Sequence, residues 1–112
     1  MADAGAARLA MPCAANQCDS DDAIHEGALA ALIDSSGALA AWSLVGLDMR
    51  FKASTVGIHV SFHARAPQQP VVAHARTLRR NNEIFLNQVA VLARDSGALL
   101  ASGTVTYRIV IP

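Results

Sequence analysis

The chain has 112 residues, 53% of them apolar and 16% charged, with no net charge at neutral pH. That length bounds it to one domain, and with 4% aromatic residues the core must be built from Ala, Val, Leu and Ile. Residues 1–48 carry seven acids against Arg8, whereas 49–112 carry eight bases against Glu83 and Asp95. The basic half lacks the dense Lys/Arg clusters with interleaved aromatics that mark a nucleic-acid surface, which argues against that class.

In chain order, residues 1–23 are Ala-rich and then acidic, with Pro12 as a breaker. A frayed start, one short strand near Arg8–Met11 and a loop are expected there. Asp3 stands where a signal peptide needs positive charge, and Arg8 interrupts any apolar run, so no leader is expected. Cys13 and Cys18 make no disulfide framework, and with His25 they match no common zinc spacing. Free thiols, no metal and a cytoplasmic chain are the expectation.

The spacing predicts a helix from about Gly27 to Leu44, ended by Gly46 and Asp48. It is apolar almost throughout and carries one carboxylate, Asp34, at its middle. At 100° per residue, Gly27, Ala30, Ala31, Gly37, Ala38 and Ala41 lie within about 60° of Asp34, and all are small. Leu29, Leu32 and Leu39 fall opposite. A buried helix rarely holds a lone acid, so a face cleared of bulk around one implies close approach by another group. Residues 27–47 come near transmembrane length, but Asp34, three serines and three glycines interrupt them. A buried core helix and no membrane span are expected.

After the helix the period becomes two. In Thr55–Phe62, Val56, Ile58, Val60 and Phe62 share one face, with Thr55, Gly57, His59 and Ser61 on the other. Pro67–Pro70 is a connection. Strands are then expected at Val71–Leu78, Ile84–Ala93 and Leu99–Ile109, with Arg79–Asn82 as a tight turn and Asp95-Ser96-Gly97 closing a hairpin. Four strands joined by short links predict an antiparallel meander wrapped around the helix. His63-Ala64-Arg65 and His74-Ala75-Arg76 echo one another as similar strand ends, and His59, His63 and His74 are expected on the sheet surface.

A buried helix before such strands is the hotdog layout, an α+β fold with one long central helix wrapped by an antiparallel sheet of four to five strands. His25-Glu26-Gly27, with Asp34 seven residues after the glycine, resembles the His-Gly-Gly…Asp/Glu signature of PaaI-like hotdog acyl-CoA thioesterases. The likeness continues through Asp34-Ser35-Ser36-Gly37-Ala38, Thr55–Phe62 and Ala101-Ser102-Gly103-Thr104-Val105, covering roughly residues 24–110. A single hotdog domain over 24–112 follows, preceded by the short segment 1–23.

The resemblance implies that Asp34 is the general base or nucleophile and that Gly27 N–H, at the helix start, is the oxyanion donor. It implies that Thr55 helps hold the attacking water and that His25 positions the thioester carbonyl or the surrounding turn. Glu26 replaces the first glycine of the signature and would stand at the mouth of the site. Val56, Gly57 and Ile58 would lie along the substrate. By their own chemistry Arg79 and Arg80, beside Asn81 and Asn82, are either charge-assisted donors to the CoA phosphates or part of a solvated turn. No cofactor is implied. The segment before His25 is shorter than the family usually has.

The residues support that assignment on their own. Thioester hydrolysis needs a base, a place for the developing oxyanion and a dry slot for the acyl group. A helix N-terminus offers N–H groups and positive potential, and a glycine there admits close approach. Seven residues separate Gly27 from Asp34 by roughly 10 Å along one helix. Each group must act from about 3 Å, so one carbonyl cannot touch both. A second helix packed antiparallel brings Asp34 of one subunit toward Gly27 of the other, which predicts a homodimer, or a dimer of dimers, with composite sites. Competing readings are a structural role for Asp34, a capping role for His25, and a non-catalytic acyl-CoA-binding or structural hotdog protein. A hotdog enoyl-CoA hydratase is a further alternative, but His25 lies too early on the helix to pair with Asp34 within one chain.

Overall fold

The computed structural model describes residues 4–12, 23–65 and 67–112. Cys13 and Cys18 lie outside the described residues. The elements run β1 (Ala6–Met11), α1 (Glu26–Val45), β2 (Lys52–Phe62), β3 (Val71–Asn81), β4 (Ile84–Ala93) and β5 (Leu99–Val110). One helix packs against a five-stranded antiparallel sheet, which is the hotdog fold.

The sheet order is β1-β3-β4-β5-β2, so only β3-β4-β5 form the expected meander. The first strand after the helix, β2, pairs with β5 at one edge, and β1 pairs with β3 at the other. The connection 63–70 has no tight-turn chemistry to hold β2 beside β3. The N–H groups of His63 and Ala64 both donate to the Leu100 carbonyl, at 2.9 and 3.3 Å, as the chain leaves the edge. Strand β1 is longer than the sequence suggests and joins the same packed body.

His25 precedes α1 with extended backbone angles, φ −63° and ψ 132°, and caps it. At the other end Gly46 takes φ 79° and donates its N–H to the Trp42 carbonyl at 2.8 Å, a left-handed position that favours glycine. The buried face of α1 is Leu29, Leu32, Ile33, Ser36, Gly37, Ala40 and Ala41. Ser36 satisfies its hydroxyl by donating to the Leu32 carbonyl at 2.6 Å. A methyl group at Gly37 would stand 2.7 Å from Val105 Cβ, so this glycine lets the helix backbone seat on β5. The small residues around Asp34 therefore divide: Gly37 and Ala41 pack on the sheet, while Gly27 and Ala31 are exposed. Of the leucines opposite Asp34, Leu29 and Leu32 are buried whereas Leu39 is 38% exposed.

Most of the core lies between the first two-thirds of α1 and β1, β3, β4 and β5, centred on Ile33, Val71, Val89, Val91 and Val105. A second cluster fills the C-terminal end of the helix, where Ala41, Phe85 and Ile109 are buried. Trp42 stacks on Phe51 with centroids 6.3 Å apart and donates its indole N–H to the Tyr107 hydroxyl at 3.1 Å. Asn87 is wholly buried but satisfied: it accepts from Thr77 Oγ1 at 2.7 Å and donates to the Val105 and Phe85 carbonyls at 3.0 and 3.2 Å.

Two hairpins close the meander. Gly97 takes φ 74° in the β4–β5 turn, as its Asp-Ser-Gly sequence leads one to expect. The β3–β4 turn is shorter than expected, because β3 runs on to Asn81 and Asn82 alone takes a left-handed φ of 56°. A register shift between Thr77 and Arg79 turns the end of β3, so that the Arg80 guanidinium lies 4.7 Å from the centre of the Phe85 ring.

Candidate active site

Asp34 sits half-buried at the middle of α1, and its Oδ1 accepts a hydrogen bond from Thr55 Oγ1 at 2.6 Å. A bulge in β2 makes this possible. Simple alternation sets Thr55 on the face of His59 and Ser61, away from Val60. In the structure the pairing to β5 shifts between Thr55 and Gly57, leaving Val56 as the extra residue. One inserted residue inverts the phase of a strand. Thr55 therefore faces the helix together with Val60, which packs on the core, while His59 and Ser61 face outward. A hydroxyl that alternation assigns to the outer face is thus delivered to the carboxylate.

At the helix start, His25 Nδ1 accepts from Gly27 N–H at 2.9 Å. A methyl group on Gly27 would stand 3.0 Å from that nitrogen and 3.2 Å from Cε1, so glycine is what lets the ring lie against the backbone. This is the capping arrangement, and it occupies the N–H that the resemblance assigns to the oxyanion. An Nδ1 that accepts leaves the imidazole proton on Nε2, which makes His25 itself a donor at the helix mouth. Glu26 is exposed in the first helical turn, where its charge complements the N-terminal dipole. A hollow of about 170 Å³ beside it is lined by Ile24, Glu26, Leu29, Phe62, His63 and Arg65.

Along β2, from the Asp34–Thr55 pair to the hollow at Glu26, apolar surface lies without cover: Val56 is 58% exposed, Ile58 47% and Phe62 42%. They belong to β2, whose outer edge has no neighbouring strand among the described residues. Gly57 in the bulge is also open, with nothing within 4 Å of where a Cβ would stand. Arg79 is exposed, whereas Arg80 is held over Phe85 and donates its Nε–H to the Asn82 carbonyl at 3.0 Å. Phe85 packs with Ala41, which sets Arg80 at the C-terminal end of α1, away from Gly27 and His25. The structure thus joins Asp34 to Thr55 and His25 to Gly27, but holds the two pairs roughly two helical turns apart. Among the described residues no three His, Cys, Asp or Glu side chains gather as metal ligands.

A groove of about 920 Å³ lies on the sheet face turned away from α1, and Asp34 does not line it. Its lining is scattered over five strands of the sequence. Its signal was the period-two spacing of His74 and Arg76, which sets both on one face beside outward residues of other strands.

The class defined by this fold and site is a hotdog protein with a carboxylate–hydroxyl pair at the centre of its helix. A family model of the thioesterase superfamily matches residues 22–99, and the chain belongs to that superfamily. Solved structures of the same fold include a conserved protein of Pseudomonas aeruginosa, with TM-score 0.87 and 24% identity, covering 98% of this chain and 85% of that one. A thioesterase family protein from Silicibacter pomeroyi aligns with TM-score 0.87 and 22% identity over 97% of this chain and 80% of its own. A thioesterase from Haemophilus influenzae aligns with TM-score 0.84 and 17% identity over 95% of this chain and 72% of its own. At these identities the likeness establishes the fold. No curated protein sequence matches the chain.

Proposed function

We propose that the protein is an acyl-CoA thioesterase of the PaaI-like kind, with Asp34 as general base or nucleophile and Thr55 as the residue that orients it. The observation that carries this reading is the 2.6 Å contact between the two, placed beside uncovered apolar surface on a thioesterase-superfamily fold. As a base, Asp34 takes a proton from water while the water oxygen bonds to the thioester carbonyl carbon. The C–S bond then breaks, and the departing thiolate is protonated to give CoA and the free acid. Thr55, donating to Oδ1, leaves Oδ2 free for that work.

The site is completed by a second copy of the chain. With α1 antiparallel to its mate, the helix mouth at His25, Glu26 and Gly27 of one protomer meets Asp34 of the other, and the apolar residues of β2 are covered. A thioester carbonyl entering there takes either the Gly27 N–H, once the imidazole moves aside, or the Nε2–H of His25. The assembly is a homodimer or a dimer of dimers, and the cytoplasm is its compartment.

Thiol release from a panel of acyl-CoA thioesters tests the reading. Wild type is expected to release CoA from at least one aryl or medium-chain member, and Asp34→Asn to lose roughly 10²- to 10⁴-fold in kcat with an unchanged melting temperature. A second reading, a non-catalytic acyl-CoA-binding protein, draws on the capped state of Gly27 N–H. Binding without release across the whole panel establishes that reading instead.

A further inference from the structure

We infer, given Asp34 as the reacting carboxylate proposed above, that the stacked rings of Trp42 and Phe51 end the acyl slot and set the chain length it takes. The two elements that hold the site run past one another as a ladder. Asp34 of α1 meets Thr55 of β2 at 2.6 Å. Trp42 of α1 meets Phe51, just ahead of β2, with ring centroids 6.3 Å apart and planes within 5° of parallel. Eight helical residues advance about 12 Å and four extended residues about 13 Å, so the two rails keep step. Midway along them come Ala38 and Ala53, both half-buried. A polar rung, a rung of two methyl groups and an aromatic rung follow one another along one line.

The aromatic rung is more than the core requires. Four of the five aromatic side chains in the sequence gather at this end of the helix. Of these only Phe85 is buried, and with Ala41 and Ile109 it already closes the core there. Trp42, Phe51 and Tyr107 lie over that cluster half-buried, with part of their surface open. Trp42 is pinned in place: its indole N–H donates to the Tyr107 hydroxyl at 3.1 Å, and the two rings meet edge to face with centroids 6.5 Å apart. That bond suits an apolar ligand, because an unpaired indole N–H covered by an alkyl chain would be costly.

Tyr107 is also the register partner of Thr55 across β5 and β2. Directly opposed residues set their side chains on the same face of a sheet. One strand pair therefore carries both the hydroxyl that holds Asp34 and the hydroxyl that holds Trp42. The distance from the reacting end to the wall is fixed by that pairing.

That distance is a length of chain. Contact with the wall takes about 4 Å of the 12 Å, leaving about 8 Å beyond the carbonyl. Carbon–carbon bonds of about 1.5 Å advance an extended chain by about 1.3 Å each, so the slot takes about six to eight carbons. The middle rung offers methyl groups and no hydrogen-bonding side chain, which favours a saturated chain over a hydroxylated or charged one.

Thiol release from saturated thioesters, butyryl- to myristoyl-CoA, tests the wall. Wild-type kcat/KM is expected to peak at hexanoyl- or octanoyl-CoA and to fall at least about tenfold by lauroyl-CoA. Trp42→Ala removes the wall and should move the peak to decanoyl-CoA or beyond. Phe51→Leu keeps an apolar side chain but removes the stacked ring, and should move it the same way. Ala38→Leu places a branched side chain in the middle of the slot and should move the peak to butyryl-CoA. Should Trp42→Ala fail to fold, the other two variants decide, because lost stability lowers all chain lengths alike and does not shift the peak in opposite directions. Calorimetric binding of the same series to Asp34→Asn reads the slot without turnover, and its affinities should follow the same order. Turnover with a peak unmoved in the variants overturns the wall and leaves the thioesterase reading standing. So does a changed oligomeric state with the peak unmoved, since the rungs then pack against a partner helix. Binding graded by length and shifted by the variants, with no release from any member, upholds the wall and removes the catalysis. Neither release nor binding graded by length overturns it.

Discussion

Thr55 and Asp34 stand 21 positions apart in the chain and on different elements, yet their side chains meet at 2.6 Å. At that distance the Thr55 hydroxyl donates a short hydrogen bond to the carboxylate. It engages Oδ1 of Asp34, and under the proposed mechanism Oδ2 is the oxygen that takes the proton from water. The bulge at Val56 is the structural cause, because it alone brings the Thr55 hydroxyl to the helix side of β2.

Removing that hydroxyl tests the pair. A hydrogen bond to a charged group contributes about 1.5–3 kcal/mol, so Thr55→Val should lower kcat roughly 10- to 100-fold with little change in KM. Thr55→Ser keeps the donor and should retain most of the activity. Steady-state thiol release decides it; a Ser variant as poor as Val would remove the hydroxyl from the mechanism.

His25 combines a capping role with a proposed catalytic one, and two substitutions separate them. Asn at an N-cap keeps a side-chain acceptor, so His25→Asn should hold the melting temperature while lowering kcat/KM about tenfold through loss of the Nε2–H. His25→Ala should lose that activity and also about 0.5–2 kcal/mol of stability. Wild-type turnover in the Asn variant would reduce the histidine to a cap.

The two arginines at the end of β3 should part company. Arg79→Ala is expected to raise KM for acyl-CoA several-fold with kcat unchanged, as loss of phosphate binding requires. Arg80→Ala uncovers the Phe85 ring instead and should cost about 0.5–1 kcal/mol in a denaturant titration. A purely kinetic effect at Arg80, without loss of stability, would reverse these roles.

Gly37 is held to glycine by Val105. A methyl group there meets Val105 Cβ at 2.7 Å, so Gly37→Ala should cost about 1–3 kcal/mol, or roughly 4–12 °C in Tm. Val105→Ala, destabilising by itself, should cost less in the Gly37→Ala background. Additive losses in that double-mutant cycle would show that the helix relaxes without help from β5.

Much of this architecture is legible in the residues. The period-two runs placed β3, β4 and β5 within a few positions, and Asp95-Ser96-Gly97 announced its hairpin. The end of β3 was not legible, because Arg79-Arg80-Asn81-Asn82 has turn-like composition while Arg80 gains a ring to lie over. The place of β2 in the sheet was equally hidden. Local turn chemistry decides which strands form hairpins, but the long connection 63–70 leaves either edge open. The outer groove was not legible either, because its residues come from all five strands, each unremarkable in isolation.

For the site, the sequence by itself determined that one acid lies in an apolar helix, that a glycine and a histidine open that helix, and that a single helix cannot bring the two ends to one carbonyl. Those conclusions rest on helical rise and on the cost of burying a charge, both of which are local. What only the tertiary structure decided is the partner of each group: Thr55 for Asp34, and His25 for Gly27. A bulge shifts a strand by one residue without leaving a mark in its hydrophobic pattern, so only pairing with β5 reveals which way Thr55 points.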